Sequence, residues 1–133
     1  MIINYKSPGT LEQTRFEKIH SVVFEDSKIA SKIVANEIAV LIKNKQKKKK
    51  NCVLGLATGS SPISVYNELV RMHKEDGLSF SNVISFNLDE YFPMKNDNIQ
   101  SYHHFMSIHL FSHVDIKPEN IFIPKGDLTN DEV

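Results

Sequence analysis

From Lys28 to Lys43 the apolar residues Ile29, Ile33, Val34, Ile38, Leu41 and Ile42 recur at spacings of three and four, which predicts one face of an amphipathic helix. Asp26 or Ser27 stands where that helix would be capped, and Val22-Val23-Phe24 just before it predicts a short first strand. The run Val53 to Ala57 predicts a buried strand. Ile63, Tyr66, Leu69, Val70 and His73 then mark a second helical face, with Gly77 placed to end it as a left-handed cap. Val83 to Phe86 predicts the next strand. A further helix from Ser101 carries Tyr102, Phe105, Met106 and Leu110 on one face, and a turn at Pro118-Glu119-Asn120 leads into a third core strand, Ile121-Phe122-Ile123. Strands alternating with helices imply βαβ units, a parallel sheet and right-handed crossovers. Residues 1–20 have no sustained period and contain Pro8-Gly9, so they read as an extension outside the main fold, although Met1 to Tyr5 could pair as an edge strand.

Composition adds mainly exclusions. A chain of 133 residues can bury one respectable core, and 16 basic against 16 acidic side chains leave no global field to recruit nucleic acid or a membrane surface. The apolar runs are too short to span a bilayer and the N-terminus lacks a signal-peptide pattern, so a cytoplasmic address is expected. The single cysteine, Cys52, opens a buried strand and reads as packing. The lysine-rich run from Lys43 to Lys50 invites a polyanion-binding reading. It has no interleaved aromatics, however, and lies where a helix ends, where cationic side chains are favourable and solvated.

Candidate chemistry collects at two loops, each following a predicted strand. Thr58-Gly59-Ser60-Ser61-Pro62 is a tight turn of small residues into a helix, with Pro62 suited to the first helical position and Ser61 to capping it. Such a turn gathers unpaired N–H groups and hydroxyls at the positive end of a helix and suits a phosphate, although small residues alone also permit a turn with no ligand. It matches neither G-x-G-x-x-G nor a Walker loop, which argues against dinucleotide or ATP. The second loop carries Asp89 and Glu90. Adjacent side chains in extended backbone point to opposite sides, so one of them can face the crevice as a general base while the other caps a helix or meets solvent. Ligands of open parallel sheets bind at this edge. His103, His104, His109 and His113 complete no metal set at usual spacing and read as surface or core histidines.

Leu54-Gly55-Leu56-Ala57-Thr58-Gly59-Ser60-Ser61-Pro62, Tyr66, Met72-His73-Lys74, Val83 with Phe86-Asn87-Leu88-Asp89-Glu90-Tyr91, Ser101-Tyr102 with Phe105-Met106, and His113-Val114-Asp115-Ile116 with Glu119-Asn120-Ile121 form an ordered series. In register from about Val22 to Gly126, it resembles the N-terminal half of glucosamine-6-phosphate deaminases. The resemblance implies a Rossmann-like three-layer α/β/α fold with a mainly parallel sheet, residues 21–133 being the N-terminal part of a sugar-phosphate isomerase/deaminase domain. It implies conversion of D-glucosamine 6-phosphate and water into D-fructose 6-phosphate and ammonia, without metal or organic cofactor, in an enzyme expected to form homo-oligomers. Thr58, Gly59, Ser60 and Ser61 would hold the sugar phosphate, and Asp89 would be the base that carries the proton from C2 toward C1. The family turn is commonly Thr-Gly-Gly-Thr-Pro, so Ser60 brings a Cβ to a glycine position, where a left-handed backbone would be strained. The family's ring-opening segment, Gly-x-Gly-x-Asp-Gly-His-x-Ala-Phe-Asn-Glu, does not occur in these residues. The chain is therefore expected to be a piece of a longer protein, with little or no deaminase activity alone. The rival readings are a 6-phosphogluconolactonase, disfavoured because Tyr91 stands where that pattern has Arg, and a non-catalytic sugar-phosphate-binding module.

Overall fold

The computed structural model describes residues 22–128. The expected extension at residues 1–20, with the edge strand at Met1 to Tyr5, lies outside the described residues. Elements follow in the order α1 (Ser27–Lys47), β1 (Cys52–Leu56), α2 (Ile63–Asp76), β2 (Val83–Asn87), α3 (Tyr102–His109), short 3-10 turns at Phe111–His113 and Pro118–Asn120, and β3 (Ile121–Phe122). The strands form one parallel sheet in the order β1-β2-β3. Cys52 pairs with Val83, Leu56 with Asn87 and Ser85 with Ile121, as two consecutive βαβ units require.

Each helix has an identifiable start or stop. The Asp26 carboxylate accepts a hydrogen bond from Lys28 N at 2.6 Å and caps α1. Lys45 and Lys47 occupy the last turn of α1, so the lysine-rich run sits at a helix C-terminus and in the connection after it. Gly77 ends α2 at φ 68°, in the left-handed region, and Leu78 N reaches back to Met72 O at 3.1 Å.

Two local expectations are corrected. Val22 to Phe24 is not a strand; no neighbouring strand pairs with it among the described residues, Val23 is 77% exposed, and the chain turns into the α1 cap two residues later. Ser61 does not cap α2. Backbone at Pro62 is already right-handed (φ −80°, ψ −9°), the helix begins after it, and no side chain caps that end.

The buried stripe of α1 is Ala35, Ala39 and Ile42, with Ile38 packed against it, whereas Ile29, Val34 and Leu41 are partly solvated. These join Tyr66 and Leu69 of α2, Met106 of α3, Leu110, Phe80 and the inward residues Cys52, Leu54 and Val83 in one core. Cys52 is fully buried and burial pushes its thiol up, as suits a packing residue. All of this covers one face of the sheet. On the other face Val53, Phe86 and Phe122 are 59%, 48% and 47% exposed, and the two phenylalanine rings stack at 4.8 Å. The described residues thus supply the sheet and one helical layer of the expected three.

Candidate sugar-phosphate site

Register fixes the geometry of the site. Leu56 and Asn87 are paired at the C-terminal ends of β1 and β2, so Thr58 and Asp89, each two residues further on, leave the same edge of the sheet side by side. Gly59 takes φ 98°, which an L side chain rarely adopts, although nothing lies within 4 Å of a Cβ built there. Backbone conformation, not space, demands the glycine. Ser60 is not in that region, since the left-handed bend falls one residue earlier, and its Cβ brings no strain. With no side chain capping α2, the first amides of that helix remain available to an anion beside the turn.

The turn is held from behind. Tyr66 on α2 is buried, and its hydroxyl donates to Ala57 O at 2.5 Å while accepting from Ala57 N at 3.1 Å. Asn87 Nδ2 donates to Leu56 O at 3.0 Å.

The loop after β2 is held differently, and its two carboxylates diverge. Glu90 turns to the N-terminus of α3, where it accepts from Ser101 Oγ at 2.7 Å, from Tyr102 N at 2.9 Å and from His103 N at 3.3 Å, and also from its own neighbour Tyr91 N at 2.9 Å. Burial opposes its ionisation, yet these hydrogen bonds hold the carboxyl below its ordinary range. Ser101 Oγ caps the same helix by accepting from His103 N at 3.1 Å. Further along, Met94 N donates to Gly126 O at 2.6 Å and the His103 ring meets Pro124 O at 3.2 Å, so the segment after β3 closes over the loop and the start of α3.

A cleft of about 580 Å³ opens between the two loops, lined by Thr58, Gly59, Tyr91, Ile99, Gln100, Ser101, Tyr102 and Phe105. The Tyr91 and Tyr102 rings lie 4.9 Å apart at 47°. The Tyr102 phenol is pushed up, chiefly by the Tyr91 side chain and then by burial, with a further push from the Asp89 carboxylate and a counter-pull from Thr58. Of the residues singled out in the sequence, Thr58 and Gly59 line this cleft. Ser60, Ser61 and Asp89 are exposed at its rim loops and are not among its lining residues. Tyr91 and Tyr102 were legible only as motif letters and as part of an apolar helix face. The signal that finds them is Ser101, an N-cap that puts Tyr102 in the first helical turn at the same sheet edge.

Two of the C-terminal histidines make local contacts. His113 meets Ile108 O at 2.8 Å and the His109 ring lies 4.4 Å from that of Phe105. Among the described residues no three His, Cys, Asp or Glu side chains are grouped to hold a metal, and no helix is long and apolar enough to cross a membrane.

Known proteins resemble this chain in sequence and fold. The sequence model of the family described as glucosamine-6-phosphate isomerases/6-phosphogluconolactonase matches residues 25–132. A glucosamine-6-phosphate deaminase-like protein of Bacteroides thetaiotaomicron is 47% identical over 120 residues, covering 90% of this chain and 18% of the relative. Glucosamine-6-phosphate deaminase 2 of Giardia intestinalis is 54% identical over 97 residues, covering 73% of this chain and 35% of the relative. The solved structure of a monomeric glucosamine-6-phosphate deaminase superposes with a TM-score of 0.75 at 39% identity, over 80% of this chain and 43% of that one. This chain therefore spans little more than a third of one of those two sequence relatives and less than a fifth of the other.

Proposed function

The chain belongs to the family of glucosamine-6-phosphate isomerases and 6-phosphogluconolactonases, and from that premise we propose that it carries the phosphate cradle and the proton-transfer carboxylate of a glucosamine-6-phosphate deaminase. The single observation behind this reading is the cleft at the C-terminal sheet edge, where the Thr58-Gly59 turn shares a lining with Tyr102 and with Tyr91, two residues after Asp89. Thr58, Gly59, Ser60 and Ser61 offer hydroxyls and backbone N–H groups to the 6-phosphate. Binding energy at the phosphate, remote from C1 and C2, orients the opened sugar. Asp89 then removes the C2 proton and returns it to C1. The amine-bearing C2 becomes an imine, which water hydrolyses to the ketone of fructose 6-phosphate with loss of ammonia. Asp89 is exposed at this edge and Glu90 is engaged by α3, so Asp89 is the carboxylate of the pair available to substrate.

No step here needs a metal or organic cofactor. The ring-opening segment of the family is not among these residues, so the 133-residue chain alone binds sugar phosphate without turning it over. In the full-length protein, the expected homo-oligomer is tested by sedimentation. Ammonia release from glucosamine 6-phosphate, set against hydrolysis of 6-phosphogluconolactone by the same full-length preparation, separates the deaminase from the lactonase. Calorimetry with fructose 6-phosphate on the 133-residue chain tests the cradle, and absence of binding would remove it.

A further inference from the structure

Ala57 is the first residue beyond β1, and the register would pair it with Leu88, which lies beyond the end of β2 and is 91% exposed. The sheet ladder therefore stops one residue short of the Thr58 turn. Tyr66 takes its place. One hydroxyl, on a side chain only 3% exposed, satisfies both backbone groups of Ala57, accepting its N–H at 3.1 Å and donating to its carbonyl at 2.5 Å. Because Tyr66 lies on α2, whose start is the far side of the same turn, this contact closes a loop around Thr58 to Pro62 and ties both of its ends to one rigid unit. Tyr66 N donates to Pro62 O at 3.0 Å and Leu69, one turn further along α2, is fully buried, so the ring has little freedom to shift.

We propose that Tyr66 is a positioning residue for the sugar-phosphate cradle, setting the aim of Thr58, Gly59, Ser60 and Ser61 by fixing Ala57 against α2. It touches no ligand, and its role rests on the cradle reading above. A phenylalanine at this position keeps the ring in the core but leaves two backbone groups of Ala57 without their partner. The turn would then have to be ordered at the moment of binding, which weakens binding and leaves the proton-transfer loop, held separately by Glu90, in place.

The test uses the full-length protein, with Tyr66→Phe compared with wild type in kinetics and in calorimetry with fructose 6-phosphate. About a tenfold weaker affinity and a matching rise in KM are expected from loss of the two hydrogen bonds to Ala57, with the loss in KM and not in kcat. A lower melting temperature with unchanged KM and affinity would overturn the proposal and leave Tyr66 a structural residue. Hydrogen exchange on the unmodified protein gives a second reading that needs no variant. The Ala57 amide should be protected, and further slowed by fructose 6-phosphate; free exchange in both conditions would overturn the proposal. If wild type itself fails to bind fructose 6-phosphate, the cradle reading falls and this inference with it, an outcome distinct from equal binding by both proteins.

Discussion

Asp89 and Glu90 differ by one methylene and sit side by side, yet the fold gives them separate work. Glu90 turns to the start of α3, where Ser101, Tyr102 and His103 donate to it, with a further bond from Tyr91 N, and Asp89 is left exposed at the sheet edge. That the pair would split was legible from their adjacency alone. Which one caps a helix was not, because the acceptor geometry depends on Ser101 and Tyr102, eleven and twelve residues away in sequence. Gly59 makes the same point about the turn. The motif marks it as tight, but only the backbone angle shows that the left-handed position is Gly59 and not Ser60. Gly59→Ala is therefore expected to cost about 1–3 kcal/mol of backbone strain and to weaken fructose 6-phosphate binding, read by thermal melting and calorimetry. Ser60→Ala should leave the melting temperature unchanged.

At the scale of elements, α3 depends on a cap supplied from outside the helix. Glu90→Ala should destabilise the protein by about 0.5–2 kcal/mol, the usual range for loss of an N-terminal cap, measured by denaturant unfolding. The pH dependence has a definite sign. Hydrogen bonds outweigh burial and hold the folded-state pKa of Glu90 below its unfolded value, for which 4.5 is the reference. Its stabilising contribution is thus complete above that value and is lost as pH falls through the lowered folded-state value. Glu90→Gln should flatten this acid limb of the stability curve, and an unchanged limb would reassign it to Asp115, also held low against burial by Ser79 and Phe80 N. The helices themselves were legible from period, and the buried face of α1 in part. Hydropathy marked Ile38 and Ile42, which the core does take up, but also Ile29, Val34 and Leu41, which stay partly solvated, and it missed the small buried residues Ala35 and Ala39.

For the molecule as a whole, the alternation of strands and helices was enough to read the parallel sheet, and the three core strands fall within a residue or two of their expected places. Val22 to Phe24 failed as a strand because β propensity counts only with a neighbour to pair with, and among the described residues none lies beside it. The two faces of the sheet differ sharply in energetic weight. Phe80→Ala, at a fully buried core position, should cost about 3–5 kcal/mol, whereas Phe122→Ala, half exposed and stacked only on Phe86, should cost less than about 1.5 kcal/mol in the 133-residue chain. Equal losses in chemical denaturation would show the bare face to be covered.

The proposed active-site role of this sheet edge is tested most directly by ammonia release from glucosamine 6-phosphate by the full-length protein, wild type against Asp89→Asn. Wild type is expected to turn over and Asp89→Asn to lose roughly 100-fold or more in kcat, with fructose 6-phosphate affinity retained. Equal turnover by the two proteins would remove Asp89 from the proton transfer, and lactone hydrolysis by wild type without ammonia release would overturn the deaminase reading.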